Sequence, residues 1–279
     1  MMTPTPFALV TGASAGIGAA FARELAARGH ALALTARRAN RLDELAQELR
    51  AKYHVDVQCI PCDLADPNGP QFLEGEIARR GLVIDTLINN AGYGVTGTFL
   101  TQPWQVHADF IQVLMTAPAE LCYRLLPGMR TRGRGRIINV ASLAGMLPAP
   151  AGHTLYAASK AYLIKFSQAL ALENRAYGVN VCALCPGFTL SEFHDVTGTR
   201  EQMKGMPGWL WMAAEPVVRD ALDAVECGRV VRVSGRVNRT IKRFFELLPD
   251  RLALRLIDQR GKDFRNTDDG QAAQPAKGE

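Results

Sequence analysis

Short apolar runs alternate with longer amphipathic segments along most of the chain. The first runs cover residues 7–11 and 31–36, and each is followed by a segment whose apolar residues recur with helical spacing. Further runs occupy 55–60, 85–88, 136–141, 180–184 and 229–233. Because the runs are apolar almost throughout, both of their faces should be covered by other elements. The pattern predicts one doubly wound α/β domain, with a parallel sheet between two layers of helices.

Several helix boundaries are indicated by local sequence. The first helical segment extends to Arg28, and another begins near Pro216. Asn40 stands where a side chain can cap the second helix, with Asp43 at its third position.

The alternation stops after residue 233. Residues 238–259 form two amphipathic stretches divided at Pro249, whereas residues 266–279 have no apolar period, which predicts a disordered tail. The expected organisation is a domain at 1–235 with a substrate-covering segment at 188–215, an amphipathic extension at 236–265 and a tail at 266–279.

The composition is that of an ordinary globular protein. Hydrophobic residues make up 48% and charged residues 21% of the 279 positions, which excludes collagen, coiled coil and disorder of the whole chain. No apolar stretch approaches the roughly 20 residues that span a bilayer, and the first ten residues do not resemble a secretory signal. A cytoplasmic location is expected.

The positive charge is concentrated in one segment. The net charge is +5, and residues 229–265 hold 11 Lys and Arg against 4 Asp and Glu. Because the segment lacks base-stacking aromatics and a recognition-helix pattern, nucleic-acid binding is not expected.

Six cysteines include two CxxC pairs, Cys59/Cys62 and Cys182/Cys185. Both pairs fall in runs interpreted as strands, where residues three apart point to opposite faces and cannot bind one ion. We therefore expect free thiols in a reducing compartment and no metal site.

A glycine-rich turn follows the first strand. Gly12 permits a tight turn, Gly16 lets backbone amides approach a pyrophosphate, and Gly18 allows close packing of helix and strand. Placed between the strand and the helix of a β-α-β unit, the turn predicts a Rossmann-type dinucleotide site at the helix N-terminus.

The residues after the second strand indicate which dinucleotide binds. NAD sites usually carry an acidic residue there, but this strand ends in Arg37 and Arg38, with no acid before Asp43. A guanidinium binds a 2′-phosphate through paired hydrogen bonds, whereas a carboxylate repels it. NADP(H) is therefore the expected cofactor, with Arg37 the main phosphate ligand and a solvated loop the alternative.

Five motifs together resemble the short-chain dehydrogenase/reductase family between about Phe7 and Val233. They are TGASAGIG at 11–18, NNAG at 89–92, Ser142, the YxxxK pair Tyr156 and Lys160, and Pro186-Gly187 followed by Ser191 in a threonine position. The resemblance implies three catalytic residues, Ser142, Tyr156 and Lys160. It implies that Asp63 contacts the adenine, Asn90 the adenosine ribose and segment 186–191 the nicotinamide amide. The full expected cofactor site comprises Gly12, Ser14, Gly16, Ile17, Gly18, Arg37, Arg38, Asp63, Leu64, Asn90, Ala91, Gly92, Tyr156, Lys160, Pro186, Gly187, Thr189 and Ser191.

The spacing of Tyr156 and Lys160 supports acid/base chemistry independently. Four residues apart in a helical segment, they project from one face. A nearby ammonium lowers a phenol's pKa from its reference value of about 10, so that Tyr156 could donate a proton to a carbonyl oxygen that Ser142 polarises.

One position departs from the family pattern. Leu114 stands where many members carry a catalytic asparagine, and leucine cannot hydrogen-bond in its place. A backbone carbonyl could still hold the water that the asparagine orders, whereas nothing indicates that His107 substitutes. The preferred function is an NADPH-dependent carbonyl reductase, reversible as a secondary-alcohol dehydrogenase, and the alternative is a weakly catalytic NADP(H) sensor or scaffold.

The substrate-facing segments of the family are apolar in this chain. They contain Tyr93, Val95, Met146, Leu147, Pro148, Phe188, Phe193, Met203, Met206, Trp209, Leu210, Trp211 and Met212. A small lipophilic ketone or a 3-oxoacyl compound is the expected substrate, and packing within a helix or between subunits is the alternative for residues 209–212. His153 could touch substrate or be structural.

The amphipathic extension has two interpretations. Ile241, Phe244, Phe245 and Leu248 form one stripe, continued by Leu252, Leu256 and Ile257. We favour packing over the substrate cleft or a sister subunit of a homodimer or homotetramer. Peripheral contact of 238–259 with the inner face of a membrane is the alternative.

Overall fold

The computed structural model describes residues 6–95, 97–190 and 207–261. Seven strands form one parallel sheet: β1 Pro6–Thr11, β2 Ala31–Thr35, β3 Val57–Cys59, β4 Val83–Asn89, β5 Gly135–Val140, β6 Val179–Cys185 and β7 Val231–Val233. Their order in the sheet is β3-β2-β1-β4-β5-β6-β7, and every pair is parallel. The prediction of a doubly wound Rossmann-type domain is confirmed.

Helices cover both faces of the sheet. They are α1 Gly16–Ala27, α2 Ala39–Tyr53, α3 Gly69–Arg79, α4 Trp104–Ile111, α5 Ala117–Thr131, α6 Thr154–Asn174, α7 Ala214–Glu226, α8 Arg236–Leu247 and α9 Asp250–Gly261. One core cluster joins α1, α2 and α7 to the sheet, and a second joins α3, α4, α5 and α6 to its other face. The strands are buried on both sides by these layers, which explains their near-continuous apolar sequence.

The strand order reverses between β1 and β4. β1 pairs with β2 on one side and with β4 on the other. In open parallel sheets the loops diverge at such a switch point and leave a crevice at the carboxyl ends of the strands. The loops after β1 and β4 therefore define where a ligand can enter the sheet edge.

A π-helical turn at Gln112–Thr116 separates α4 from α5. Such turns insert one residue into a helix and are common at functional sites. Leu114 lies inside this turn and is buried, with its Cγ close to Gly92 of the loop after β4.

Two local expectations are wrong. Asn40 does not cap the second helix, because the chain already turns helical at Ala39 and the cap position falls on Arg38, which makes no capping bond through its side chain. Cys62 lies in a loop beyond β3 and not in a strand. The Cys62 thiol donates to the Gly69 carbonyl, and burial raises its pKa to about 11, so the thiol stays protonated near neutral pH.

The two helical stretches divided at Pro249 occur as predicted. α8 ends at Leu247 and α9 begins at Asp250. Phe244, which we placed on the packed stripe, is 53% exposed, whereas Ile241 packs against a core cluster around β6 and β7. The expected tail at 266–279 lies outside the described residues. No helix within the described ranges is both long and apolar enough to cross a bilayer.

Candidate active site

The loop between β1 and α1 turns tightly against the end of β4. Gly12 has a φ angle of 65°, and a Cβ there would lie 2.9 Å from the α-carbon of Ala91. A Cβ on Gly18 would lie 2.3 Å from the carbonyl oxygen of Gly12. Backbone atoms therefore leave no room for side chains at these two positions.

The N-terminus of α1 is suited to an anion. Its cap residue Ala15 has no side chain that can bind the first amide groups, and no acidic residue lies in the first turn. Free amides and the positive end of the helix dipole together favour a phosphate group. This end of the helix fits the pyrophosphate of a dinucleotide.

Thr11 and Asn90 hold the glycine turn onto β4. The Thr11 hydroxyl accepts hydrogen bonds from the backbone amides of Asn90 and Ala91 at 2.9 and 3.0 Å. The Asn90 side-chain amide donates to the carbonyls of Thr11 and Gly12 at 3.0 and 3.3 Å. Thr11 is absent from the predicted cofactor residues, and its place at the end of β1, beside the glycine turn, is the sequence signal for this contact.

Of the two arginines after β2, it is Arg38 that contacts the glycine turn. Its Nη2 and Nε donate to the Ser14 hydroxyl at 3.0 and 3.3 Å. Arg37 is exposed. The structure thus brings the guanidinium of Arg38, rather than that of the preferred Arg37, onto this turn.

Asp63 and Leu64 follow β3 at the same edge of the sheet. The Asp63 carboxylate accepts a hydrogen bond from the Ala65 amide at 3.0 Å, and its side chain is exposed, whereas Leu64 is buried. The Asp63 carboxylate is therefore accessible to solvent, one strand away from β2.

Tyr156 and Lys160 lie one turn apart near the start of α6. The Lys160 ammonium donates to the Val140 carbonyl at 2.7 Å and lies 5.7 Å from the centroid of the Tyr156 ring. Ser142 comes two residues after the end of β5, and its hydroxyl accepts a hydrogen bond from the Ala144 amide at 3.1 Å. The three predicted catalytic residues are therefore carried by the loop after β5 and by α6.

Close backbone packing fixes the serine loop against α6. A Cβ on Gly145 would lie 2.5 Å from the carbonyl carbon of Lys160. The amide of Leu143 donates to the carbonyl of Pro186 at 2.9 Å. These contacts link Ser142 to both the lysine helix and the loop after β6.

The Lys160 side chain is almost completely buried, with 6% of its surface exposed. Removal from water disfavours the charged form and lowers the pKa of its ammonium to about 8. Near neutral pH Lys160 therefore still carries most of its charge, next to the phenol ring of Tyr156.

A sequence model of the short chain dehydrogenase family matches residues 6–202, well over half of the chain. The chain belongs to this family.

Two relatives of this short-chain dehydrogenase are named as reductases of 3-oxoacyl or ketoacyl compounds. It is 30% identical over 264 residues to a very-long-chain 3-oxoacyl-CoA reductase of Anas platyrhynchos, covering 93% of this chain and 81% of that one. It is 35% identical over 233 residues to a putative ketoacyl reductase of granaticin polyketide synthesis in Streptomyces violaceoruber, covering 81% of each.

Solved structures of the family have the same fold. A short-chain dehydrogenase from Sphingobium yanoikuyae in complex with NADPH superposes with a TM-score of 0.77 at 31% identity, covering 88% of this chain and 96% of that one. The bulky-bulky ketone specific alcohol dehydrogenase of Comamonas testosteroni superposes with a TM-score of 0.72 at 29% identity, covering 89% and 96%.

The loop after β6 holds the rest of the predicted cofactor residues of this short-chain dehydrogenase. Thr189 is buried and donates to the Gly187 carbonyl at 3.2 Å, and residues 188–190 pair with Met212. Ser191 lies outside the described residues, as do three of the substrate-facing candidates, Phe193, Met203 and Met206.

Aromatic residues line the remaining substrate-facing segments. Phe188 and Trp211 have ring centroids 5.6 Å apart, and the Tyr93 ring meets Phe110 edge to face at 5.5 Å. Trp209 is 66% exposed.

His107, near Tyr156, is a buried residue of α4 that packs inside the protein. Its Nε2 donates to the Phe99 carbonyl at 2.8 Å.

Buried Lys160 should make the stability of the protein depend on pH. Below about pH 8 the folded and unfolded states both carry the ammonium, so burial costs the most there. Between about pH 8 and the ordinary lysine pKa of 10.5 the folded state loses its proton first, and this cost falls as the pH rises. Lys160→Met removes the buried charge, so its free energy of unfolding should exceed that of wild type most at low pH. This difference should shrink by on the order of 3 kcal/mol as the pH rises between the folded-state and unfolded-state pKa values of Lys160.

Urea unfolding of both proteins at a series of pH values measures this difference. Lys165→Met, at an exposed position of α6, is the matched control and should not follow the same course. A difference for Lys160→Met that stays constant from pH 7 to 10.5 would contradict the lowered pKa.

Proposed function

We propose that this protein is an NADPH-dependent carbonyl reductase, reversible as a secondary-alcohol dehydrogenase, that acts on a lipophilic ketone or a 3-oxoacyl compound. The observation that carries the proposal is the position of the Lys160 ammonium between the end of β5 and Tyr156, with Ser142 two residues beyond that strand. The uncapped N-terminus of α1 supplies an anion site on the same sheet edge.

The proposed proton transfer starts at the Tyr156 hydroxyl. Tyr156 donates its proton to the substrate oxygen, and the nearby Lys160 ammonium stabilises the phenolate that remains. The Ser142 hydroxyl donates a hydrogen bond to the same oxygen, which stabilises the negative charge that develops on it. Bound NADPH supplies the hydride for the carbonyl carbon.

Each part of NADP(H) has its own proposed binding residues. Gly16 to Gly18 at the start of α1 hold the pyrophosphate, Arg38 and Arg37 bind the 2′-phosphate, and Asp63 contacts the adenine. Similar solved structures contain NADPH or NADP, which supports this assignment.

The substrate class rests on apolar surface. Phe188, Trp211 and Tyr93 offer aromatic area on the segments that follow β6 and β4, and such surfaces suit a lipophilic chain better than a sugar. Relatives named as reductases of 3-oxoacyl and ketoacyl compounds point to the same class.

A second candidate function is a weakly catalytic NADP(H) sensor or scaffold. Leu114 favours it, because this buried leucine offers no side-chain hydrogen bond at the position of the usual asparagine. Turnover by the wild-type protein, measured in the assay below, distinguishes the two.

Replacing Tyr156 by phenylalanine should abolish turnover and leave NADPH binding nearly intact, because the hydroxyl acts on substrate oxygen. We expect a loss of at least about a hundredfold in kcat, which is typical of a removed general acid. NADPH absorbance with a panel of ketones, steroids and 3-oxoacyl thioesters measures the rate, and nucleotide fluorescence measures binding.

Tyr162→Phe, on the same helix, is the matched control and should keep its activity. If Tyr156→Phe retained most of the wild-type rate on a good substrate, the mechanism would be wrong. No turnover of any of these compounds by wild type would favour the sensor.

Arginine variants test the choice of nucleotide. Wild type should bind NADPH at least about tenfold more tightly than NADH, as expected for one charge-assisted phosphate contact. Arg38→Ala and Arg37→Ala should each weaken NADPH and leave NADH unchanged in fluorescence titrations. Arg79→Ala, on remote α3, is the control. A preference for NADPH that survives the removal of both arginines would overturn the phosphate assignment.

The proposed homodimer or homotetramer is supported by apolar surface on α5 and α6. Tyr123 and Leu172 are 79% and 74% exposed. A shallow groove beside Tyr123 is lined by Ile111, Met115, Ala119 and Tyr162, which a second copy could cover.

We propose peripheral membrane contact through α8. Val237, Phe244 and Leu247 are exposed and lie at i, i+7 and i+10, on one face of the helix, with Arg236 and Arg243 beside them. Residues 236–261 hold seven basic and three acidic residues. A second copy docked on this face would bring like charges together, whereas an anionic bilayer supplies the opposite charge.

Phe244→Ser should reduce binding to vesicles of phosphatidylcholine and phosphatidylglycerol severalfold in a sedimentation assay. The reason is that its ring is the largest apolar group on this face. Wild-type binding should fall with added salt and be weak on phosphatidylcholine alone. Phe72→Ser, at another exposed phenylalanine, is the matched control. Absence of wild-type binding, or equal binding of the two variants, would leave α8 with a packing role only.

A further inference from the structure

The first turn of α8 reaches the loop that follows β6. Asn238 is 4% exposed although it belongs to the amphipathic extension. A Cβ on Gly187 would lie 2.5 Å from both Nδ2 and Oδ1 of Asn238. The amide plane of Asn238 therefore stands directly against the backbone of Gly187.

Two hydrogen bonds hold the Asn238 amide in this position. Its Nδ2 donates to the Ser234 carbonyl at 2.8 Å and to the sulfur of Met212 at 3.6 Å. Gly235, between β7 and α8, has a φ angle of 83°, and a Cβ there would lie 2.8 Å from the same sulfur. A glycine is thus required for the chain to turn into α8 at this distance from Met212.

Met212 is itself paired with the loop after β6. Its amide donates to the Phe188 carbonyl, and the Leu190 amide donates to the Met212 carbonyl, both at 2.9 Å. Asn238 thus contacts Met212 on one side of a short parallel pairing and, on the other side, Gly187, the residue that precedes the paired segment 188–190. The other end of this loop, Pro186, is bonded to the amide after Ser142.

We infer that Asn238 is a positioning residue that fixes the loop at 186–190 for the nicotinamide half of the cofactor. The inference rests on the proposed function, since that loop is assigned to the nicotinamide. Asn238 acts through the backbone of Gly187 and through Met212. The outer face of the extension is proposed to meet a membrane. Its inner face, which carries Asn238, would set the geometry of the bound cofactor.

The test compares two nucleotides that share the adenine half. NADPH spans both halves of the site, whereas adenosine 2′,5′-bisphosphate carries the 2′-phosphate and lacks the nicotinamide. Asn238→Ala should raise the Kd for NADPH about tenfold and change the Kd for the bisphosphate by less than about twofold. The KM for NADPH should rise in parallel. Calorimetric titration measures both affinities.

Asn174→Ala is the matched control, because Asn174 is also buried and donates to a backbone carbonyl, that of Leu170 at 2.6 Å. It lies at the far end of α6, so its variant should lose stability without changing the ratio of the two affinities. Met212→Leu keeps the volume and removes the sulfur acceptor, so it should shift the ratio in the same direction by a smaller factor. If Asn238→Ala does not fold, Met212→Leu replaces it in the test.

An unchanged ratio in Asn238→Ala, or equal loss of both nucleotides, overturns the positioning role. If Asn238→Ala does not fold, an unchanged ratio in Met212→Leu overturns it instead. Failure of the wild-type protein to bind NADPH would instead overturn the proposed function. The two failures are therefore distinguishable.

Discussion

The burial of one ammonium group sets most of the geometry of the active site. The Lys160 ammonium is almost completely buried, and it donates a hydrogen bond to the Val140 carbonyl. A buried charge without such a partner would cost several kcal/mol or more, so the end of β5 and the start of α6 must stay in register. The close approach of Gly145 to the Lys160 backbone also holds the loop after β5 against α6. The chemistry proposed for Tyr156 and the packing of α6 against the sheet thus depend on the same contact.

The fold could be predicted from the sequence because both faces of its strands are covered. Apolar runs such as those at β1 and β6 leave few alternatives to a parallel sheet between helices. The positive φ angle of Gly12 and the close approach of Gly18 to it both lie within one strand-turn-helix unit, which the sequence indicates directly. The placement of two proposed catalytic residues on one face of a helix was predictable for a related reason. Tyr156 and Lys160 are neighbours on a helix, so their spacing in sequence is their spacing in space.

Contacts between distant segments could not be predicted in this way. Arg38 reaches Ser14, and Asn238 reaches Gly187, through folding of loops whose course no local period determines. The cap of the second helix was misplaced by two residues, because Asn40 is a good capping residue but the turn after β2 is set by the sheet. The stripe on α8 was partly wrong for a similar reason. The helix has apolar residues on two faces, and periodicity alone does not say which face meets the protein.

The π-helical turn at Gln112–Thr116 has a consequence for the evolution of this chain. A turn of this kind contains one residue more than the regular helix of the same path. Deleting one residue there would restore a continuous α-helix and leave the side chains after it in their present orientation. Leu121, Leu126 and Met129, all buried on the face toward the sheet, would keep their packing. Deleting one residue in the regular part of α5, by contrast, would rotate every later side chain by about 100° around the axis. The π-helical turn is therefore a place where this helix can change its length by one residue without repacking the core beyond it, and such a change would alter the helix only beside Gly92.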